Sequence, residues 1–120
     1  MTNTIQTRVV EPDTTVVEIS GRLNLGNSLS YAETSVKRLI ADGSRKLVID
    51  LAGLDFIDSA GIGMLISCGG EMEQAGGAFR VAGAHGAIAR AFEIVHMSRI
   101  VVLEADVETA CRNLSGEIKA

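Results

Sequence analysis

Two different hydrophobic periods occur in the first half of the chain. Val17 and Ile19 alternate with the polar residues Glu18 and Ser20, which is the pattern of a half-buried β-strand. The short aliphatic run at 47–51 is typical of a strand that is covered on both faces. Between them, apolar residues recur at helical spacing: Leu29, Ala32, Val36, Leu39 and Ile40. The pattern therefore predicts two strands connected by a helix.

Residues that begin and end elements support this assignment. Asn27 or Ser28 is suited to cap the start of the helix, and Gly43 follows its end. The turn-like segment 11–14 precedes the first clear strand. We therefore expect residues near 8–10 to pair with that strand in the antiparallel direction.

The second half continues the alternation of helix and strand. Its pattern predicts a helix at 59–74, a strand at 78–82, a helix at 87–95, a strand at 100–103 and a last helix after Asp106. Such alternation predicts an α/β fold. We expect a small, mostly parallel β-sheet with an antiparallel N-terminal edge strand and about four α-helices.

Gly69 and Gly70 lie inside the predicted helix 59–74, where each costs about 0.5 to 1 kcal/mol relative to alanine. Either the helix packs closely against a neighbour at this point, or the glycines leave room for a partner protein. Both interpretations stay open on the sequence.

Length, composition and charge exclude several classes of protein. The 120 residues suit a single domain over 1–120, and 47% hydrophobic against 22% charged residues is typical of a globular chain. The net charge of −4, without a block of lysine and arginine, argues against nucleic acid as a partner. Without a secretory pattern or an apolar run of roughly 20 residues, we expect no direct membrane insertion and a cytoplasmic location.

Cys68 and Cys111 lack metal-site spacing and are expected to be reduced and structural.

The candidate chemistry lies at 55–63, where an apolar approach leads to Asp58 and Ser59 at the start of the predicted helix. The glycines there lack the spacing and the lysine of a phosphate-binding loop, and Ile57 stands where a nucleophile elbow needs glycine. Asp55 and Asp58 have no third metal ligand at a useful spacing. We therefore expect neither a cofactor nor a metal site.

Asp58 is best interpreted as the cap of the helix. Ser59 is either an ordinary helix-start residue or a phosphorylation site, because a helix N-terminus stabilises an anion by roughly 0.3 to 1 kcal/mol. The small residues Ala60, Gly61 and Gly63 would let the active site of another protein approach the hydroxyl. The residues alone leave both interpretations open.

Three segments carry a family resemblance. They are SGRLN at 20–24, LVIDL at 47–51 followed by LDFIDSAGIG at 54–63, and QAGG at 74–77. In these motifs the chain resembles the STAS domain family, and within it the stand-alone anti-sigma factor antagonists, over nearly its whole length. The Asp-Ser-x-Gly-x-Gly core after an aliphatic strand is the most specific part of the match.

The resemblance implies control by partner switching. In such proteins the serine after the aspartate, here Ser59, is phosphorylated by an ATP-dependent serine kinase that is also an anti-sigma factor. The unphosphorylated form binds this kinase, phosphorylation releases it, and a metal-dependent phosphatase of the PP2C type restores the cycle. Catalysis belongs to the partners, so we do not expect the chain to be an enzyme. A monomer or weak dimer is expected.

The resemblance also implies a partner-binding surface around Asn24, Asp55 and Ile62. The expected partner-binding residues are Asn24, Asp55, Asp58, Ser59, Ala60, Gly61, Ile62 and Gly63. Asn24 replaces the aspartate of many relatives and removes a charge there. Ala60 replaces a second hydroxyl residue, so Ser59 is the only hydroxyl within the motif.

Two other functions stay open on the sequence. One is a STAS accessory or scaffold subunit of a transporter or stress-signalling complex that has no phosphorylation cycle. The other is a sensor of a small ligand or nucleotide, which ligand-induced thermal stabilisation would reveal.

Overall fold

Six β-strands form one mixed sheet in the computed structural model, which describes residues 4–10 and 12–117, without the side chains of 116 and 117. The strands are β1 (Thr4–Val10), β2 (Thr14–Leu23), β3 (Lys46–Asp50), β4 (Leu54–Ile57), β5 (Ala78–Ala82) and β6 (Val102–Glu104). Along the sheet the order is β1-β2-β3-β5-β6, and β4 pairs with β2 outside this path. Among the strands of the described residues, only the β1–β2 pair is antiparallel, which confirms the predicted N-terminal edge strand and the mostly parallel sheet.

Four α-helices cover the sheet in the described part of the chain. They are α1 (Asn27–Ala41), α2 (Ser59–Gln74), α3 (Gly86–Ile94) and α4 (Val107–Glu117), and a 3₁₀ turn lies at Met97–Arg99. The predicted bounds of α2 and β5 are confirmed to the residue. No helix within the described residues is both long and apolar enough to cross a membrane.

The alternation of side chains along the strands divides the core between the two faces of the sheet. Val17 and Ile49 point to the larger core, which is closed by apolar residues of α1, α2 and α3. Their neighbours Val16 and Val48 point to a smaller core that Leu114 of α4 covers. Because successive residues of a strand face opposite sides, the aliphatic run of β3 is buried on both. The strand expected at 47–51 and its burial on both faces are thus confirmed, although β3 begins and ends one residue earlier than predicted.

Strand β2 has two different parallel neighbours. Its first half pairs with β3 and its end at 21–23 pairs with β4, with a register shift between Gly21 and Arg22. Gly21 has a φ of 91°, which suits glycine, and its N–H donates to the carbonyl of Gly53 at 3.0 Å. Near this register shift, β4 replaces β3 as the parallel neighbour of β2. As a result, the end of β2 lies beside the segment that leads into α2.

Three local predictions need correction. Strand β4 was not predicted, because only its first and last residues are buried and four residues show no clear period. Gly26, with a φ of 140°, takes the N-cap position of α1, so neither Asn27 nor Ser28 is the cap. The 3₁₀ turn delays β6 to Val102–Glu104 instead of 100–103. In the turn predicted at 11–14, Pro12 and Asp13 form a turn, and Glu11 lies outside the described residues.

The two helix glycines have different surroundings. A Cβ on Gly69 would lie 3.1 Å from both Phe79 and Val101, so this glycine permits close packing against β5 and the approach to β6. A Cβ on Gly70 would meet nothing within 4 Å. Close packing therefore explains Gly69 only.

Both cysteines are free thiols. Burial raises the pKa of the Cys68 thiol to about 12 and also raises the pKa of Cys111. A raised pKa keeps the thiol protonated and unreactive. This agrees with the structural role expected for the two residues.

Candidate functional site

Ser59 is the first residue of α2 and is exposed. It follows β4 after one extended residue, Asp58, which caps the helix as predicted. The Oδ1 atom of Asp58 accepts a hydrogen bond from the Gly61 N–H at 2.9 Å, and its main-chain carbonyl accepts one from the Ile62 N–H at 3.0 Å. The hydroxyl of Ser59 therefore stands on a well-anchored helix start.

The second carboxylate oxygen of Asp58 holds the loop between β2 and α1. Its Oδ2 atom accepts a hydrogen bond from the Leu25 N–H at 3.0 Å. In addition, the N–H of Asp58 donates to the carbonyl of Leu23 at 3.3 Å. One side chain thus joins the start of α2 to a loop 33 residues earlier in the chain. Sequence reasoning did not detect this link, because a local motif cannot show a contact over such a separation.

These hydrogen bonds favour the charged form of Asp58. The N–H of Leu25, followed by that of Gly61, holds the pKa of the Asp58 carboxyl below its ordinary range. At neutral pH the carboxylate is therefore a fixed negative charge immediately before Ser59. A phosphate on Ser59 would add to this charge.

Gly61 allows α2 to approach the end of β2. A Cβ at this position would collide with the carbonyl oxygen of Leu23 and with Cγ1 of Ile57. The next residue, Ile62, is only 9% exposed and packs in the core. Gly61 is buried as well, and the expected role of both residues in partner binding stays a prediction.

The other expected partner-binding residues lie nearer the surface. Asn24 is half-buried in the loop that Asp58 holds, and Asp55 is exposed on β4. Ala60 is half-buried, whereas Gly63 is exposed and a Cβ on it would meet nothing within 4 Å. The surface around Ser59 is therefore formed by the β2–α1 loop, β4 and the first turns of α2.

The exposed side of α2 carries small residues along its length. From Ser59 it continues through Gly63 and Ser67 to Gly70, at intervals of three or four residues. Gly63 and Gly70 both face open space. Because these side chains are short, another protein can approach the backbone of α2 closely near Ser59.

Arg22 and Phe56 form a further surface feature that the sequence did not predict. They are cross-strand partners of β2 and β4, and the guanidinium of Arg22 lies over the Phe56 ring, 4.2 Å from its centroid. Phe56 is 39% exposed. Since β4 was not recognised as a strand, nothing in the sequence indicated that these residues face each other.

Loss of the Asp58 carboxylate should destabilise the fold in a pH-dependent way. A lowered pKa means that the carboxylate contributes stability above its unfolded pKa of about 3.9, and that this contribution is lost as the pH falls through the folded pKa. We expect Asp58→Ala to lower the Tm by about 3 to 8 °C at pH 7. Calorimetry between pH 7 and pH 3 should show this difference shrinking in acid.

Asp58→Asn is the matched control for this prediction. Its amide oxygen can still accept from the Gly61 N–H but carries no charge. We expect an intermediate Tm with a weaker pH dependence. A Tm difference between Asp58→Ala and the wild type that is the same at pH 3 and pH 7 would contradict a role for the charge.

Several proteins of known structure are similar to this chain over most of its length. The structure is similar to that of an anti-sigma factor antagonist from Mycobacterium paratuberculosis, with a TM-score of 0.86, 21% identity and 95% of each chain covered. It is also similar to the Bacillus cell fate determinant SpoIIAA in the phosphorylated form, with a TM-score of 0.72, 19% identity, and 92% of this chain and 98% of that chain covered.

A third similar structure is a sulfate transporter family protein from Wolinella succinogenes, with a TM-score of 0.79, 14% identity, and 94% of this chain and 93% of that chain covered. At such low identities these three likenesses show the fold. The family model described as STAS domain matches residues 5–110, which include the whole candidate site and all six strands apart from Thr4 at the start of β1. The chain belongs to the STAS domain family.

Proposed function

We propose that this chain is an anti-sigma factor antagonist that works by phosphorylation-controlled partner switching. Unphosphorylated, it binds a serine kinase that is also the anti-sigma factor, and phosphorylation of Ser59 releases this partner. A PP2C-type phosphatase then returns the chain to its binding form. The observation that carries the proposal is the exposed hydroxyl of Ser59 on a helix start anchored by Asp58.

The start of α2 can carry a phosphate on Ser59 without a change of fold. A phosphoserine carries about −1.5 to −2 charges, and the unpaired N–H groups and dipole of a helix N-terminus favour an anion there. The added charge lies next to the Asp58 carboxylate, on a surface that also includes exposed Asp55. A partner that fits the unphosphorylated surface meets repulsion and a desolvation cost after phosphorylation.

The proposed partner-binding surface consists of residues around Ser59. Asn24, Asp55, Ala60 and Gly63 contribute surface, whereas Asp58 holds the loop and the helix start in place. The kinase and the phosphatase carry out all the catalysis in this cycle, which takes place in the cytoplasm. The similar structures of an anti-sigma factor antagonist and of phosphorylated SpoIIAA support the proposal.

Phosphate mapping tests the proposal directly. The chain is incubated with ATP and an anti-sigma factor serine kinase from the same organism, and the modified residue is located by mass spectrometry. We expect one phosphate, on Ser59, and none on Ser59→Ala. The matched control is Ser67→Ala, which removes another exposed serine of α2 and should leave phosphorylation unchanged. Phosphate found only at another residue would reject Ser59 as the switch.

The alternative is a STAS accessory or scaffold subunit without a phosphorylation cycle. The similarity to a sulfate transporter family protein favours this candidate. In that case the chain should co-purify with a permease or a large assembly and gain no phosphate from the kinase.

A further inference from the structure

We propose that Leu25 is an apolar anchor of the partner interface, which the unphosphorylated protein inserts into an apolar pocket of the serine kinase. This inference rests on the proposed function and adds to it a residue that determines partner specificity. The anchor lies outside the Asp-Ser-x-Gly-x-Gly motif, in the turn between β2 and α1.

The exposure of Leu25 is not explained by the fold. At 79% it is the most exposed large hydrophobic side chain among the described residues. It stands in a short turn between Asn24 and Gly26, where polar side chains are the norm. Burying a leucine in an apolar pocket strengthens binding by about 10- to 100-fold.

The backbone of Leu25 is held in a defined position relative to Ser59. Its N–H donates to Oδ2 of Asp58 at 3.0 Å, and Asp58 is the residue immediately before Ser59. From bond lengths, the Leu25 nitrogen is within about 11 Å of the Ser59 Cα. Because the loop is already ordered, little conformational entropy is lost when a partner takes up the side chain.

The position of Leu25 indicates which partner covers it. A kinase must bring its active site to the hydroxyl of Ser59, and a specific interface buries about 800 Å² on each partner, equivalent to a disc of roughly 16 Å radius. Such a footprint centred on Ser59 includes Leu25. It also reaches towards the Arg22–Phe56 pair at the same end of β2 and β4, and arginine and aromatic residues are enriched in interfaces.

Calorimetric titration of the unphosphorylated chain with the anti-sigma factor serine kinase that phosphorylates Ser59, in the presence of ADP, tests the anchor. We expect Leu25→Ala to weaken binding by at least tenfold and Leu25→Met to bind within about threefold of the wild type, since methionine keeps a similar apolar volume. Both variants should fold normally, because the side chain is mostly solvent-exposed.

Val9→Ala is the matched control. Val9 is 64% exposed and pairs with Thr15, which is about 25 Å from the loop end of β2. This variant should bind like the wild type.

The outcomes separate the anchor from the switch. Leu25→Ala binding within twofold of the wild type, while Ser59→Asp no longer binds, would overturn the anchor and leave the proposed function standing. A wild-type chain that does not bind the kinase would overturn both.

Discussion

Ser59→Asp is expected to bind the serine kinase more than a hundredfold more weakly than the wild-type chain, whereas Ser59→Ala should bind and stay bound in the presence of ATP. The added carboxylate lies beside Asp58 at the centre of the proposed surface. Charge repulsion and desolvation together need to cost only about 3 kcal/mol for this effect. Titration calorimetry of each variant with the kinase measures the difference.

Ser115→Asp is the control for the added charge alone. Ser115 is exposed on α4, which covers the face of the sheet opposite to α2. This variant should bind like the wild type. Circular dichroism of Ser59→Asp should show an intact fold, since an acidic residue in the first turn of a helix is favourable. Equal affinities of Ser59→Asp and Ser59→Ala would count against control by charge.

Gly61→Ala should destabilise the protein by about 1 to 3 kcal/mol, although alanine is the better helix former. The new methyl group would collide with the Leu23 carbonyl and with the Ile57 side chain, and the carbonyl is main chain that accepts a hydrogen bond from Asp58. To relieve this collision, either α2 or the end of β2 must move outwards. Urea denaturation gives the free energy of unfolding.

Gly70→Ala is the matched substitution in the same helix. Its Cβ would meet nothing within 4 Å, so the expected change is a gain of about 0.5 to 1 kcal/mol. Opposite signs for the two variants would show that close approach to β2, rather than helix propensity, explains Gly61. If Gly61→Ala is as stable as Gly70→Ala, the helix start is not tightly packed against β2.

The effect of Gly61→Ala on partner binding follows from the same contact. A displaced α2 carries Ser59 away from the loop that Asp58 holds, so the proposed surface loses its shape. We expect weaker kinase binding even where the variant remains folded.

Regular elements with a strong period could be predicted from the sequence, and short irregular ones could not. The bounds of α2 and β5 followed from local apolar spacing, because a long helix or a buried strand repeats its pattern often enough to be read. β4 has only four residues, with the middle two exposed, so it has no recognisable period. The cap of α1 was misassigned because Gly26 provides a backbone conformation in place of a side-chain cap.

Some features of the candidate site could likewise be predicted from the sequence, and others could not. The capping role of Asp58 and the exposed start at Ser59 were predictable, because both depend on neighbours within a few residues. The burial of Ile62 was not predictable from the motif, since it depends on which side of α2 faces the sheet. The hydrogen bond from Leu25 to Asp58 depends on the pairing of β2 with β4, which is a contact between distant parts of the chain.

By itself, the sequence determined the class of fold, the position of α2 and the identity of the serine at its start, since these depend on periodicity and on local hydrogen-bonding chemistry. Only the tertiary structure decided which residues surround that serine. The pairing of β2 with β4 brings Leu25 to Asp58, and the missing side chain of Gly61 lets α2 pack against Leu23. Contacts between distant segments arise from packing and strand register, which a local pattern does not encode.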